Sequence, residues 1–462
     1  MLGETVAAVS TPRGKGGVAL LRISGDTAIE VASRMFRPKH KKSLTECESR
    51  RAVYGEILAP DEGGEWQAID DGIATVFRAP ASFTGEDTVE ICCHGGMLLT
   101  ETVLMSCLAA GAKPATAGEF TRRAVMNGKM GLSSAEALGN ILEASTREQL
   151  TLAHNGMGGR IEQKTAEIYD SLRAVLASIY VKIDYPDEDL ADMSREEIEA
   201  ALAGCERALG ELARTYRTGH AIAEGIPTVI CGRPNVGKSS LYNCIVGRDA
   251  AIVTDIEGTT RDVLTETAAL GRVTLRLFDT AGLHETSDPV ERIGIDRAER
   301  AMREAELILA VFDGSRAADA EDRALIEALQ KQDATVIAVI NKSDLGEVSE
   351  PLYEGSFTNI VKLSAKRGDG IAALADAVEA LFVDGALDTR RDAVLTNARQ
   401  HAAAVSALEA VRHALKALCE GYPIDLCCTD AENAMSALSE LDGRAVTEDI
   451  IAEIFSHFCV GK

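Results

Sequence analysis

The chain has 462 residues, 46% of them hydrophobic and 26% charged, the composition of an ordinary soluble globular protein too long for a single core. Its formal net charge of -24 repels phosphate backbones at long range, so any nucleic-acid contact must be a local basic patch. There is no basic-plus-apolar leader and no run of about 18 uninterrupted apolar residues, so no signal peptide or membrane span is expected and the expected compartment is the cytoplasm. The eleven cysteines are odd in number and lack framework spacing, which favours reduced thiols over disulfides.

Residues 1–120 mix short apolar runs ("ETVAAVS", "GGVALLRISG", "DGIATVFRAP", "DTVEICCHGG") with Gly and Pro breaks. Val, Ile and Thr between turn residues predict strands, with amphipathic helices near 26–36 and 97–110, an α+β domain. Residues 121–220 turn helical, with Ala, Glu, Leu and Arg at helical spacing from about 132 onward and one break from Asp184 to Ser194. That break ends in a serine followed by glutamates, a helix start. Residues 221–385 alternate wholly apolar runs ("IPTVIC", "TLRLFDT", "LILAVFDG", "TVIAVINKSD") with amphipathic helices, which predicts a doubly wound parallel sheet. Residues 386–462 resume the helical texture, with a last helix expected at about 447–458. Helix on both sides of an α/β segment implies one discontinuous all-α domain whose halves pack together around an insertion.

The inserted segment carries the chemistry. In "CGRPNVGKSSL", Gly232, Gly237, Lys238 and Ser239 fit G-x-x-x-x-G-K-S between a strand and a helix. Glycines let backbone N–H groups curl around an anion, Lys238 reaches the β and γ phosphates, and the Ser239 hydroxyl can ligate Mg²⁺. In "NKSD" (Asn341, Lys342, Asp344) the aspartate carboxylate accepts both the N1–H and the exocyclic amine of guanine, a pair that adenine does not offer. "LSAK" (Ser364, Ala365, Lys366) closes the base site. "FDTAG" (Asp279 to Gly282) supplies an aspartate behind the Mg²⁺ and a glycine N–H for the γ-phosphate, and "GTTRD" supplies the metal-shell threonine, Thr260. The fold class expected is therefore multidomain: an α+β N-terminal domain, a discontinuous all-α helical domain and an inserted α/β P-loop GTPase domain.

The hydrolytic apparatus departs from the commonest pattern. A glutamine often orients the attacking water just after the aspartate-glycine element, and here Leu283 stands there. Glu291 in "DPVERIGIDRA" is the acidic candidate; from the residues alone a solvated helix-start glutamate remains an equal alternative. Asn235, with Thr254 to Thr260 nearby, offers oxygen ligands for a monovalent cation in place of an arginine finger.

Taken together, "TPRGKGGVALLRISG", "SFTGEDTVEICCHGG", "AGEFTRRAVMNGKM", "GRPNVGKSS", "AAIVTDIEGTTRDV", "DTAGLHETSDPVERIGI" and the terminal "FCVGK" resemble the tRNA modification GTPase MnmE (TrmE) family over essentially the whole chain. The resemblance implies a homodimer that works in the cytoplasm with the FAD-containing partner MnmG, as a heterotetramer. Its products would be tRNAs carrying a (carboxymethyl)aminomethyl-type group on C5 of the wobble uridine. The one-carbon unit would come from 5-formyl- or methylene-tetrahydrofolate bound to residues 1–120, which also mediate dimerisation. GTP would contact Asn235, Val236, Gly237, Lys238, Ser239 and Ser240, then Thr254, Asp255, Ile256, Glu257, Gly258, Thr259 and Thr260. Asp279, Thr280, Ala281 and Gly282 would follow, and Asn341, Lys342, Ser343, Asp344, Ser364, Ala365 and Lys366 would hold the base. The resemblance further implies Mg²⁺ on Ser239 and Thr260, K⁺ on Asn235, Thr254, Ile256 and Thr259, and Glu291 as the group that activates water.

Folate would lie on Arg22, Glu90, Lys129 and the terminal Lys462, with a carboxylate for the pterin edge and cations for the glutamate tail. Each alone is an ordinary surface residue type. Cys459 is a candidate nucleophile, with a thiolate favoured by nearby cations, and a thiol that only packs is the alternative. "CCHGG" is not expected to hold a metal, since three adjacent strand residues cannot face one ion, and "DYPDED" is expected to be solvated. "GYPIDLCCTDAENAM" departs from the leucine-rich run of the family. Two other functions fit part of the pattern: a GTP-driven switch or ribosome-assembly factor without folate chemistry, and a folate enzyme regulated by its G domain.

Overall fold

The computed structural model describes residues 3–40, 43–184, 193–247, 265–278, 304–346, 351–444, 454–456, 458, 460 and 461. They fall into two compact units, Met1–Gly139 with Ser439–Lys462, and Asn140–Leu438. The expected boundaries ran instead at 120, 220 and 385, with everything after 385 in the helical domain.

The first unit is built on a sheet of seven strands, in chain order β1 (Val6–Val9), β2 (Val18–Ser24), β3 (Phe36–Pro38), β4 (Ala52–Pro60), β5 (Trp66–Phe77), β6 (Thr88–His94) and β7 (Lys113–Pro114). Their spatial order is β3-β4-β5-β6-β2-β1-β7, antiparallel except where β7 joins β1. Strand alternation sets the faces: Leu21, Ile23, Val89 and Ile91 are buried against helices α1 (Ala28–Met35) and α2 (Met97–Ala109), while Leu20, Arg22 and Glu90 point the other way. Helices α3 (Glu119–Met126) and α4 (Leu132–Glu143) follow.

The end of the chain joins this unit because it has an apolar seat there. Phe455 is buried with Leu132 and Ala135 of α4, and a Cβ on Gly118 would lie 2.9 Å from both Phe455 and Phe458. Val460 then bridges to Ala117, and the Ser10 hydroxyl donates to the Gly461 carbonyl at 2.8 Å.

In the second unit, α5 (Arg147–Met157), α6 (Arg160–Asp184) and α7 (Arg195–Ala223) precede the α/β segment. The break expected at Ser194 is a capping box: its side chain accepts from the Glu197 N–H while the Glu197 side chain accepts from the Ser194 N–H. The α/β segment runs β8 (Ile226–Gly232), α8 (Lys238–Val246), β9 (Thr265–Leu270), β10 (Val273–Phe278), β11 (Leu307–Asp313), α9 (Ala320–Leu329), β12 (Thr335–Asn341), α10 (Pro351–Ser356), β13 (Asn359–Lys362) and α11 (Ile371–Phe382). Helices α12 (Ala398–Cys419) and α13 (Cys427–Asp442) complete it. Ile168, Leu172, Val175 and Ile179 of α6 and Ile198, Leu202, Cys205 and Leu209 of α7 share one core with Ala407, Val411, Ala414 and Leu418 of α12 and with Ala431, Ala434 and Leu438 of α13. The spacings of four and three residues put each set on one helix face. The helices before and after the insertion thus form one bundle.

The inserted sheet has the order β13-β12-β11-β8-β10-β9. Leu307, Leu309 and Val311 face the core under α8 and α11, and Ile308, Ala310 and Phe312 face the core under α9 and α10. One strand corrects the all-parallel expectation, because β9 pairs antiparallel with β10. Only Gly271 and Arg272 separate the paired ends Leu270 and Val273, and with Gly271 at φ 63° a connection that short can make only a hairpin.

Candidate functional site

Strand β8 lies between β10 and β11, the point where the strand order reverses, and the loop leaving its C-terminal end is where such sheets bind ligands. Gly232 (φ 147°), Asn235 (φ 64°) and Gly237 (φ 101°) turn this loop through left-handed conformations into α8. The glycines also serve close approach: a Cβ on Gly232 would strike the Val311 carbonyl, and one on Gly237 the Asn341 carboxamide. Lys238, Ser239 and Ser240 occupy the first turn of α8, where free N–H groups favour an anion. The Lys238 ammonium donates to the Arg233 carbonyl at 2.9 Å, and burial lowers its pKa, an environment that a phosphate would relieve.

The base side is tied to the same loop. Asn341, 3% exposed at the end of β12, donates from Nδ2 to the Val236 carbonyl and accepts the Ala365 N–H on Oδ1, both at 2.9 Å. One carboxamide thus joins the phosphate loop to the loop that would close over the base. Ser364 donates to Asp344 Oδ1 at 2.7 Å; this hydrogen bond leads the causes that lower the Asp344 pKa and keep it a carboxylate, as guanine recognition requires. Lys342 sits at φ 67° and donates to Asp313 Oδ2 at 2.6 Å. Burial pushes the Asp313 carboxyl up, but the hydrogen bonds from Lys342 and Ser315 outweigh it and its pKa is lowered.

Sequence reasoning did not single out Asp313, although an acidic residue ending an apolar strand beside the phosphate loop was visible in "LILAVFDG". It also passed over Arg233. That side chain pairs with Asp319 and Glu321, each at 2.5 Å, and its hydrogen bond leads the causes that pull the Asp319 pKa to about 2. Asp319 caps α9, so the phosphate loop is fastened to that helix.

With this geometry in place, the comparisons decide the family. The model of the MnmE helical domain matches residues 132–459, and that of the GTP-binding protein TrmE N-terminus matches residues 5–129. A protein of Symbiobacterium thermophilum named tRNA modification GTPase MnmE is 42% identical over 99% of both chains. Proteins of the same name from Bacillus velezensis (39% identical, 99% of this chain and 100% of the relative) and Acetivibrio thermocellus (38%, 99% of both) are similarly close. The chain belongs to the MnmE family.

The residues expected from the MnmE resemblance to hold folate are partly brought together. Arg22 on β2 stands directly across from Glu90 on β6, and Nε and Nη2 both donate to Glu90 Oε1, at 3.0 and 2.7 Å. The guanidinium lies 5.1 Å from the Phe83 ring centroid and 5.4 Å from that of Phe120, two aromatic neighbours missed from sequence. Lys129 donates to the Pro80 carbonyl at 2.9 Å and packs along Gly85. Lys462 and Cys459 lie outside the described residues, as do Thr254, Asp255, Ile256, Glu257, Gly258, Thr259, Thr260, Asp279, Thr280, Ala281, Gly282 and Glu291. In the "CCHGG" stretch, Cys93 is buried and its thiol is pushed up to about 11, chiefly by burial, while the His94 ring pairs with Asp70 at 2.7 Å. Among the described residues no group of His, Cys, Asp or Glu is placed to hold a metal, and no helix is long and apolar enough to cross a membrane.

Proposed function

We propose that the chain is a GTP hydrolase of tRNA modification, as its MnmE relatives are named. The observation that carries this reading is the Asn341 carboxamide locked between Val236 and Ala365, beside a carboxylate held for guanine by Ser364. This arrangement suits a guanine nucleotide.

In its finer form the reading is a potassium-dependent reaction. Ser239 on the first turn of α8 suits Mg²⁺, with Thr260 as its second protein ligand, and the ion would neutralise charge on the β and γ phosphates. The left-handed Asn235 in the phosphate loop suits K⁺, with Thr254, Ile256 and Thr259, and that ion would take the place of an arginine's charge at the γ-phosphate. Lys238 would orient the phosphates, Asp344 would select the base, and Glu291 would take up the proton of the attacking water. Leu283 supports the Glu291 role, since an apolar side chain cannot polarise water.

The tetrahydrofolate part rests on Arg22 and Glu90. Both hydrogen bonds from Arg22 fall on Oε1, which suits the other carboxylate oxygen to an amino-amide edge, and the half-buried Phe83 ring offers flat apolar surface beside it, while Phe120 is fully buried and backs the guanidinium. The homodimer, the MnmG partnership and the wobble-uridine product belong to the same reading, as does a cytoplasmic setting. The dividing test is hydrolysis rate in potassium against sodium buffer at equal ionic strength. Equal rates would remove the potassium role and would favour an ordinary GTP switch. Cys459→Ser is expected to spare hydrolysis and abolish tRNA modification; unchanged modification would leave that thiol a packing residue.

A further inference from the structure

A chain of net charge -24 that acts on tRNA needs a place where the polyanion is welcome, and one corner of the N-terminal sheet is built that way. Between Arg34 and Arg51 the sequence carries seven Lys and Arg residues against two glutamates. The fold gathers the described cations of this stretch. Strand β3 lies at the sheet edge beside β4, so Arg37 stands opposite Glu56, and Lys39 continues the pairing by donating its N–H to the Tyr54 carbonyl. The next turn folds back along the same strands. The Arg50 N–H donates to the Val76 carbonyl, and Arg78 enters from the end of β5, its N–H on the Ser49 hydroxyl and its guanidinium on the Thr45 carbonyl at 2.9 Å. Arg37, Lys39, His40, Arg50 and Arg51 are exposed.

The acidic groups facing this corner are Glu46, Glu48, Glu56 and Asp71, the last exposed and directly across from Glu56 on β5, and the ion pairs they make with its arginines are exposed. Arg37 meets Glu56 at 3.2 Å and Arg51 meets Glu48 at 3.0 Å, with the two arginine side chains 61% and 72% exposed; Glu46 is exposed nearby. Exposed pairs of this kind are worth about 0 to 1 kcal/mol, so a phosphate that takes an arginine bidentately can displace the carboxylate. Tyr54 is 47% exposed, with the Lys39 ammonium 4.6 Å from its ring centroid. A cation held over a half-exposed aromatic ring can turn to a phosphate and leave the ring to an unstacked base, the two halves of a nucleotide.

From this we infer that the β3-β4 corner, with Arg37, Lys39, Arg51 and Tyr54 as its contacts, is the surface on which this chain binds the backbone of RNA. The inference rests on the tRNA reading above and adds the location. None of these residues belongs to the nucleotide site.

The test is titration of the full chain with unmodified tRNA across a salt series, comparing wild type with Arg37→Gln, Lys39→Gln and Arg51→Gln combined. Loss of three phosphate contacts predicts an affinity at least about tenfold weaker and a plot of log K against log salt shallower by about 2 to 3, with GTP hydrolysis unchanged as the control for folding. Glu48→Gln with Glu56→Gln is expected to tighten binding. Unaltered affinity and slope in the triple variant, or no tRNA binding by the wild-type chain, would overturn the assignment. So would displacement of tRNA by polyglutamate of matched charge as effective as displacement by RNA, which would make the corner a site for an acidic protein. Failure of the underlying reading is distinct, because it appears as wobble uridines still modified in cells lacking the chain.

Discussion

Asn341→Ala probes the link on which the nucleotide site depends. Removing the carboxamide strands two backbone groups, the Val236 carbonyl and the Ala365 N–H, at a position only 3% exposed. A buried group left without its partner costs about 1 to 3 kcal/mol, so the two together cost about 2 to 6 kcal/mol. At 1.4 kcal/mol per factor of ten, GTP affinity should fall by about 30-fold or more, even though Asp344 and Lys238 are untouched. Two measurements read this: titration with a fluorescent GTP analogue, and amide exchange at Ala365 in the nucleotide-free chain, where protection should drop. Asn341→Asp should be at least as damaging, because it sets an oxygen where Nδ2 donated and turns an attraction to the Val236 carbonyl into a repulsion. An alanine variant that binds GTP within twofold of wild type and keeps its Ala365 protection would refute the idea that this side chain holds the two loops together.

Two further outcomes concern the joints of the molecule. His220, near the end of α7, lies with Nε2 3.5 Å from Glu306 and Nδ1 3.4 Å from Glu224; the hydrogen bond with Glu306 leads the causes that raise its pKa above 6.5, with burial and Arg276 opposing. A raised histidine stabilises fully below 6.5 and loses that contribution as pH climbs through the folded value. The stability gap between wild type and His220→Gln in denaturant unfolding should therefore narrow as pH rises above 6.5, and a gap constant with pH would rule the ion pair out. Gly461→Ala should free the chain terminus, since φ is 98° and a Cβ would collide with the Val9 carbonyl and come within 2.9 Å of Ser10 Cα. Gly128→Ala is the matched control, at φ 65° with open space around it. Carboxypeptidase should trim the first variant several-fold faster than the second, and equal rates would mean that collision at Gly461 does not hold the terminus.

Local signals were the legible part. Ser194 and Glu197 announce a helix start because a capping box is made by residues three apart, and the phosphate loop and "NKSD" are likewise contiguous pieces of backbone. Wholly apolar runs such as "LILAVFDG" identified strands covered on both faces. What stayed hidden depends on pairing across the chain. Arg22 and Glu90 were both named as ligand residues, yet their direct opposition follows from the register of β2 on β6, which no local pattern encodes. The antiparallel β9 went unseen because "TETAAL" is neither wholly apolar nor strictly alternating. The terminal segment reads as one more stretch of helix, and its attachment to the N-terminal unit, through Phe455 on Leu132 and Ala135, Val460 on Ala117 and Gly461 on Ser10, depends on contacts distant in sequence.

The most direct test of the account lies in the tRNA itself. Nucleoside mass spectrometry of wobble uridines, in cells deleted for this chain and complemented with wild type or Lys238→Ala, asks whether a working phosphate loop is required for the modification. Loss of the C5 aminomethyl-type nucleoside on deletion, restored by wild type and not by Lys238→Ala, is the predicted result. Full modification in the deleted cells, or full rescue by Lys238→Ala, would contradict it.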